Sequence, residues 1–179
     1  MSRYSHVLTK IASSISPSNK IIGIFPFNTL VDDTTTNVHN GQINFLNSGI
    51  EGLKALAEKN YSVVLFINQF KGKPLSYEHF QKLNQVVEEF VKDAGVNVIG
   101  LYWCPGVDKR DPFVVPNPGM FGRVKENLGI SFEGLSVIST SDNDLSAASK
   151  AKAMPIKIGN GPSKWTHCNT FYEWAMSAD

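Results

Sequence analysis

The chain has 179 residues, a length that suits one domain with a substantial core and is short for two. Seventeen Lys and Arg nearly balance sixteen Asp and Glu, and the formal net charge of +1 gives no reason to expect a nucleic-acid or anionic-membrane binder. A hydrophobic fraction of 42% argues against disorder, and no window reaches the roughly 20 apolar residues of a membrane span. Two cysteines cannot build a disulfide framework, so we expect a cytoplasmic protein.

The first 20 residues are expected to form an amphipathic helix or extension ahead of the main domain. Residues 1–31 contain no acidic side chain. Their apolar residues fall on one helical face, namely Tyr4, Val7, Leu8, Ile11 and Ile15. The same composition is typical of a mitochondrial presequence, which is the alternative location. Residues 21–179 are predicted to form one domain.

Strand-like and helix-like segments alternate from residue 21 onward. The predicted strands are the apolar or β-branched runs 21–25, 63–67, 96–103, 135–138 and 154–158. Helices are predicted at 44–59 and 143–152, with a closing helical turn at 171–174. Two more are predicted from their first residues: one begins after the N-cap Ser76, and the other has Asn117 as N-cap and Pro118 as its first helical residue. This alternation predicts a three-layer, doubly wound parallel sheet with helices on both faces.

Ligands of such sheets bind where the strands end at their carboxyl edge. Four connections therefore matter, and each carries a recognisable fragment. These are Asn28-Thr29-Leu30, Asn68-Gln69, Pro116-Asn117-Pro118-Gly119-Met120 and Ser141-Asp142-Asn143-Asp144. In order and spacing they resemble the haloacid dehalogenase superfamily, in its small branch of heptose bisphosphate and histidinol-phosphate phosphatases, over residues 21–160. The resemblance implies the Rossmann-like fold of that superfamily without a large cap domain.

The same resemblance implies that the catalytic groups of the family are missing here. Its first connection carries a nucleophilic Asp and a general acid/base Asp, and these positions hold Phe25 and Phe27. The phosphate-anchoring hydroxyl is replaced by Ile67, the lysine that neutralises phosphate by Val115, and the magnesium-binding Asp by Thr140. A phenyl ring can neither attack phosphorus nor bind magnesium, so the sequence predicts a pseudophosphatase with no cofactor and no metal.

We expect such a protein to act by binding, through a protein partner or self-association. The candidate binding residues are Phe25, Phe27, Asn28, Asn68, Gln69, Val115 and Asp144. Two states of the former site remain open: the pocket has filled and joined the core, or it presents an apolar patch to a partner or small ligand. The alternative functions are a ligand sensor that uses the former active-site pocket, a divergent phosphatase whose catalytic residues the sequence does not identify, and an enzyme of different chemistry around Cys104 or Asp144.

Overall fold

A computed structural model describes residues 8–11, 20–68 and 76–179. The described strands are β1 Leu8–Ile11, β2 Lys20–Ile24, β3 Tyr61–Ile67, β4 Asn97–Trp103, β5 Ser136–Ser139, β6 Met154–Ile158 and β7 Thr166–Cys168. The helices are α1 Asn47–Glu58, α2 Tyr77–Asp93, α3 Gly119–Leu128, α4 Asp142–Lys150 and α5 Phe171–Ser177, with a short 3-10 helix at Val38–Asn40. Among these residues, no helix is long and apolar enough to cross a membrane.

The strands form one sheet in the order β1-β4-β3-β2-β5-β6-β7. Strands β2 to β7 are parallel, and β1 pairs antiparallel with β4. The predicted three-layer α/β fold with a doubly wound parallel sheet is confirmed. Because β2 lies between β3 and β5, the carboxyl ends of these three strands meet at the middle of one edge. That is where ligands bind in open α/β sheets.

Strict alternation along the central strands sends their side chains into two separate cores. In β3, Val63, Leu65 and Ile67 face one core, whereas Val64 and Phe66 face the other. The first core contains the buried faces of α1, α2 and α5, and the second those of α3 and α4. All seven residues of β3 are buried, as expected for a strand covered on both faces.

Helix α5 returns along α1 and is held there by two close contacts. An ideal Cβ placed on Gly52 of α1 would lie 2.5 Å from the ring of Phe171, so only glycine permits this approach. At the other end, Lys59 Nζ donates to the carbonyl oxygens of Ala175 at 2.9 Å and Met176 at 2.8 Å. The lysine thereby satisfies carbonyls that the end of α5 would otherwise leave unpaired.

Two local predictions are wrong. Leu8–Ile11 is a strand, paired from Leu8↔Trp103 to Ile11↔Gly100, and the rest of the predicted N-terminal helix lies outside the described residues. Pairing with β4 therefore overrides the helical apolar spacing. Asn117 does not cap α3, whose N-cap is Pro118. The side-chain amide of Asn117 instead donates to the carbonyl oxygens of Lys109 at 2.8 Å and Asp111 at 2.9 Å.

Candidate functional site

A tight turn after β2 presents the residues that follow this central strand. The carbonyl oxygen of Pro26 accepts hydrogen bonds from the amides of Thr29, Leu30 and Val31, at 3.2, 2.7 and 2.9 Å. Asn28 has φ of 57°, a left-handed conformation that asparagine tolerates better than most residues. Its Oδ1 also accepts from the amide of Asp33 at 3.1 Å. The turn is thus fixed by backbone and side-chain bonds together.

Phe25 fills the space directly beyond β2. Its ring stacks on Phe66 with centroids 5.3 Å apart, and it lies 6.4 Å from the ring of Phe121. Only 3% of the residue is exposed. The position that the resemblance assigns to a nucleophile is therefore occupied by part of the aromatic core, which contributes about 1.5–3 kcal/mol of burial energy.

Asp144, in the first turn of α4, is the carboxylate most firmly built into this edge. Its Oδ1 accepts from Asn68 Nδ2 at 2.8 Å, and its Oδ2 accepts from Ser139 Oγ at 2.7 Å. Ser139 Oγ in turn accepts from the amide of Ser141 at 3.0 Å. Asp144 is 8% exposed, so these bonds supply partners that a buried carboxylate needs. The network joins the ends of β3 and β5 to α4.

Two further positions close the site with neutral groups. Thr140 Oγ1 donates to the carbonyl oxygen of Phe27 at 3.3 Å, which ties the turn after β2 to the end of β5. Val115 precedes a cis bond to Pro116 and lies against the second core. Neither side chain carries a charge, so neither can act as a cation toward phosphate or as a carboxylate toward a metal.

These groups enclose a pocket of about 200 Å³. We call it the edge pocket. Its apolar wall is Phe25, Phe27, Phe66 and Val115. Its polar wall is Asn28, Asp33, Asn68, Thr140, Ser141, Asn143 and Asp144. Both states left open by the sequence are therefore combined: Phe25 has joined the core, and a small pocket remains beside it.

The structure gathers most of the candidate residues in one place. Six of the seven line the edge pocket, and Gln69 lies outside the described residues. Ile67 does not line it, because its fully buried side chain faces the opposite core. The candidate binding residues proposed from sequence did not include Phe66, Asp33, Ser141 or Asn143, although Ser141 and Asn143 belong to the fourth fragment. Strand alternation could have found Phe66, whereas the others depend on how α4 and the turn are placed.

The described residues do not fit a magnesium ion of the kind that the resemblance implies. The positions assigned to the nucleophile and the metal-binding carboxylate hold Phe25 and Thr140, and the Thr140 hydroxyl is bonded to Phe27 O. Both oxygens of Asp144 accept bonds from neighbouring side chains. Within the described part of the chain, no group of three or more His, Cys, Asp or Glu is placed to hold a metal.

Cys104 also lacks the surroundings of a nucleophile. Burial is the main cause that raises the pKa of its thiol to about 11, and the residue is 1% exposed. Reactive cysteines have a lowered pKa and solvent access. At neutral pH this thiol is therefore protonated and shielded, which argues against the alternative chemistry proposed for it.

Comparison with known proteins supports the fold and the resemblance. No protein-family model matches the sequence. D-glycero-beta-D-manno-heptose-1,7-bisphosphate 7-phosphatase of Vibrio cholerae is 29% identical over 136 residues, covering 66% of this chain and 73% of the relative. The enzyme of the same name from Photorhabdus laumondii is 26% identical over 136 residues, covering 67% of this chain and 72% of the relative.

Solved structures agree with these relatives. The D,D-heptose 1,7-bisphosphate phosphatase of B. bronchiseptica, complexed with magnesium and phosphate, superposes with a TM-score of 0.69 at 19% identity, covering 88% of this chain and 97% of the other. A HAD-like structure from Mesorhizobium loti superposes with a TM-score of 0.76 at 17% identity, covering 98% of this chain and 93% of the other. The chain is similar in sequence to heptose bisphosphate phosphatases, and its fold is that of haloacid dehalogenase-type structures. Its resemblance to the heptose bisphosphate phosphatase branch is confirmed, and the loss of catalytic groups is a matter for proposal.

Proposed function

We propose that this protein does not transfer phosphoryl groups and acts by binding. The observation that carries the proposal is Phe25, which stands in the nucleophile register and packs against Phe66 instead of presenting an oxygen to the edge pocket. Loss of a nucleophile alone costs on the order of a million-fold in rate. The acid/base carboxylate, the phosphate-neutralising lysine and the metal-binding carboxylate are also absent, because their positions hold Phe27, Val115 and Thr140.

Binding could take the form of an interaction subunit or of a ligand sensor. A cytoplasmic location and an interacting partner belong to this proposal as well. The edge pocket favours ligand binding, because it keeps about 200 Å³ beside the buried phenylalanine. If this edge served only as core, we would expect close packing by apolar side chains and no cavity lined on one side by polar groups.

The test is hydrolysis of a phosphomonoester panel, including sugar bisphosphates, with and without magnesium. We expect no magnesium-dependent turnover above the buffer rate. Turnover that co-purifies with the chain through several steps and is abolished by Asp144→Asn would overturn the proposal. In that variant the carboxylate becomes an amide of similar shape.

A second variant tests whether carboxylates at the two lost catalytic positions are enough to restore phosphatase activity. Phe25→Asp with Phe27→Asp places carboxylates at both lost positions, and its fold is checked by circular dichroism. The matched control is Phe132→Asp, which adds a carboxylate to the same aromatic core away from the edge pocket. Magnesium-dependent hydrolysis by the double variant alone would show that substitution at these two positions caused the loss of activity.

A further inference from the structure

We propose that the edge pocket binds a small organic ammonium ion carrying a short apolar chain. This inference rests on the proposed function, since it names the ligand class of the same pocket. It reverses the charge of the ligand that a phosphatase site would hold. The argument is electrostatic first and then steric.

The described lining of the edge pocket contains acidic side chains and no basic ones. Asp33 and Asp144 both line it, and no Lys, Arg or His among the described residues does. Charge at such a site is weakly screened, because the wall formed by Phe25 and Phe66 is apolar and excludes water. A phosphate would meet two carboxylates there, whereas an ammonium ion would be attracted by both.

The described lysines near the edge pocket point to other partners. Lys150 Nζ donates to Pro116 O at 3.0 Å. Lys157 Nζ donates to Asp142 Oδ1 at 2.9 Å. Neither lysine lines the pocket, so neither supplies the countercharge that an anionic ligand needs.

Helix α4 begins at the pocket, and the N-terminus of a helix ordinarily favours anions. Here the first turn already contains Asp142 and Asp144. These carboxylates oppose the partial positive charge of the helix end. The helix therefore fixes Asp144 in the pocket wall and does not create an anion site.

The opposite wall suits an apolar chain. Phe27 and Val115 are partly buried and face the pocket, so an alkyl group placed against them would leave water. A phenyl face also attracts a cation lying over it. A volume of about 200 Å³ equals roughly seven liquid waters, which limits the ligand to a few carbon atoms.

The experiment is a titration of the full-length, isotopically labelled chain followed by amide chemical shifts. The probes are n-butylammonium, its uncharged counterpart 1-butanol, inorganic phosphate and magnesium chloride. We expect n-butylammonium to shift the amides of Asn68 and Asn143, and to bind at least tenfold more tightly than 1-butanol. We expect phosphate and magnesium to cause no saturable shifts there.

Two charge-neutralising variants locate the site. Asp144→Asn should weaken n-butylammonium binding at least tenfold. Asp93→Asn removes the same charge at the exposed carboxyl end of α2, outside the edge pocket, and should leave binding unchanged. If Asp144→Asn does not fold, Asp33→Asn takes its place.

Every outcome decides the proposal. Four results would each overturn it: no n-butylammonium binding, a preference of less than tenfold over 1-butanol, saturable shifts of the Asn68 and Asn143 amides with phosphate or magnesium, or binding that is unchanged in the pocket variant that folds. Those results leave the proposed function standing as long as no phosphomonoester is hydrolysed. Conversely, hydrolysis would overturn the proposed function whatever the amine titration gives.

Discussion

Asn68 and Asp144 lie 76 positions apart in the chain and are joined by a hydrogen bond of 2.8 Å from Nδ2 to Oδ1. Asn68 follows β3, and Asp144 lies in the first turn of α4. Because β2 separates β3 from β5 in the sheet, this bond spans the turn that holds Phe25 and Phe27. It thus keeps the two sides of the edge pocket at a fixed separation.

Removing this bond should loosen the edge without unfolding the sheet. We expect Asn68→Ala to lower the free energy of unfolding by about 1–2 kcal/mol, since the partner is a buried charged group. Denaturant titration measures the change. The control Asn160→Ala, at an exposed position, should remain within about 0.5 kcal/mol of the unmodified chain. A loss no larger than that of the control would contradict the role given to Asn68.

Two helical glycines make a matched pair with opposite predictions. Gly52→Ala would place a Cβ 2.5 Å from the Phe171 ring, so we expect a loss of about 1–3 kcal/mol from overpacking. Gly122 lies within α3 with nothing within 4 Å of an added Cβ, so Gly122→Ala should gain about 0.5–1 kcal/mol. Thermal unfolding of both variants would show the sign. Equal effects would mean that α5 does not pack on α1 as described.

Cysteine alkylation should separate the two thiols. Burial raises the pKa of both, that of Cys104 to about 11. Cys104 is buried and Cys168 is only partly so. We expect iodoacetamide at neutral pH to label Cys168 first and to label Cys104 only on unfolding, as read by mass spectrometry. Cys168→Ser should then leave the native chain nearly unreactive. Rapid labelling of Cys104 would restore it as a candidate nucleophile.

The pKa of Asp142 reports the ion pair at the start of α4. Lys157 is the main cause that holds this pKa below its ordinary value of 3.8, with Trp165 Nε1 donating to the same oxygen. A lowered pKa stabilises the fold above pH 3.8, and the contribution disappears as the pH falls through the lowered value. In an NMR pH titration, Lys157→Met should raise the pKa toward 3.8, and Lys164→Met should raise it less. The reverse order would contradict the pairing.

Much of the sheet could be predicted from sequence because long apolar runs separated by turns determine it. Strand β6 was predicted with the bounds Met154–Ile158 that the structure has, and Ser76 caps α2 by accepting from the amide of His79. The two edge strands were missed for physical reasons. Strand β7 has three residues, too few for any periodicity. Strand β1 has four, and its partner β4 lies about 90 positions away in the chain.

The candidate site shows the same division between local and tertiary information. Phe25 and Phe27 could be placed because they follow a strand whose end was clear. Which side chain of β3 faces the edge pocket could not be placed in the same way. A shift of one residue along the strand, from Ile67 to Phe66, changes which core the side chain faces. Ser141 and Asn143 reach the pocket because α4 begins there, and the helix axis depends on packing over the whole second core.

The short antiparallel strand β1 has a consequence for assembly. Parallel strand β4, seven residues long, would otherwise end the sheet with a row of unpaired amides and carbonyls. Four residues of β1 cover much of that row, and the opposite border ends in the three residues of β7. Within the described residues, both borders of the sheet are therefore short strands, and short edge strands offer little template for another chain to extend the sheet.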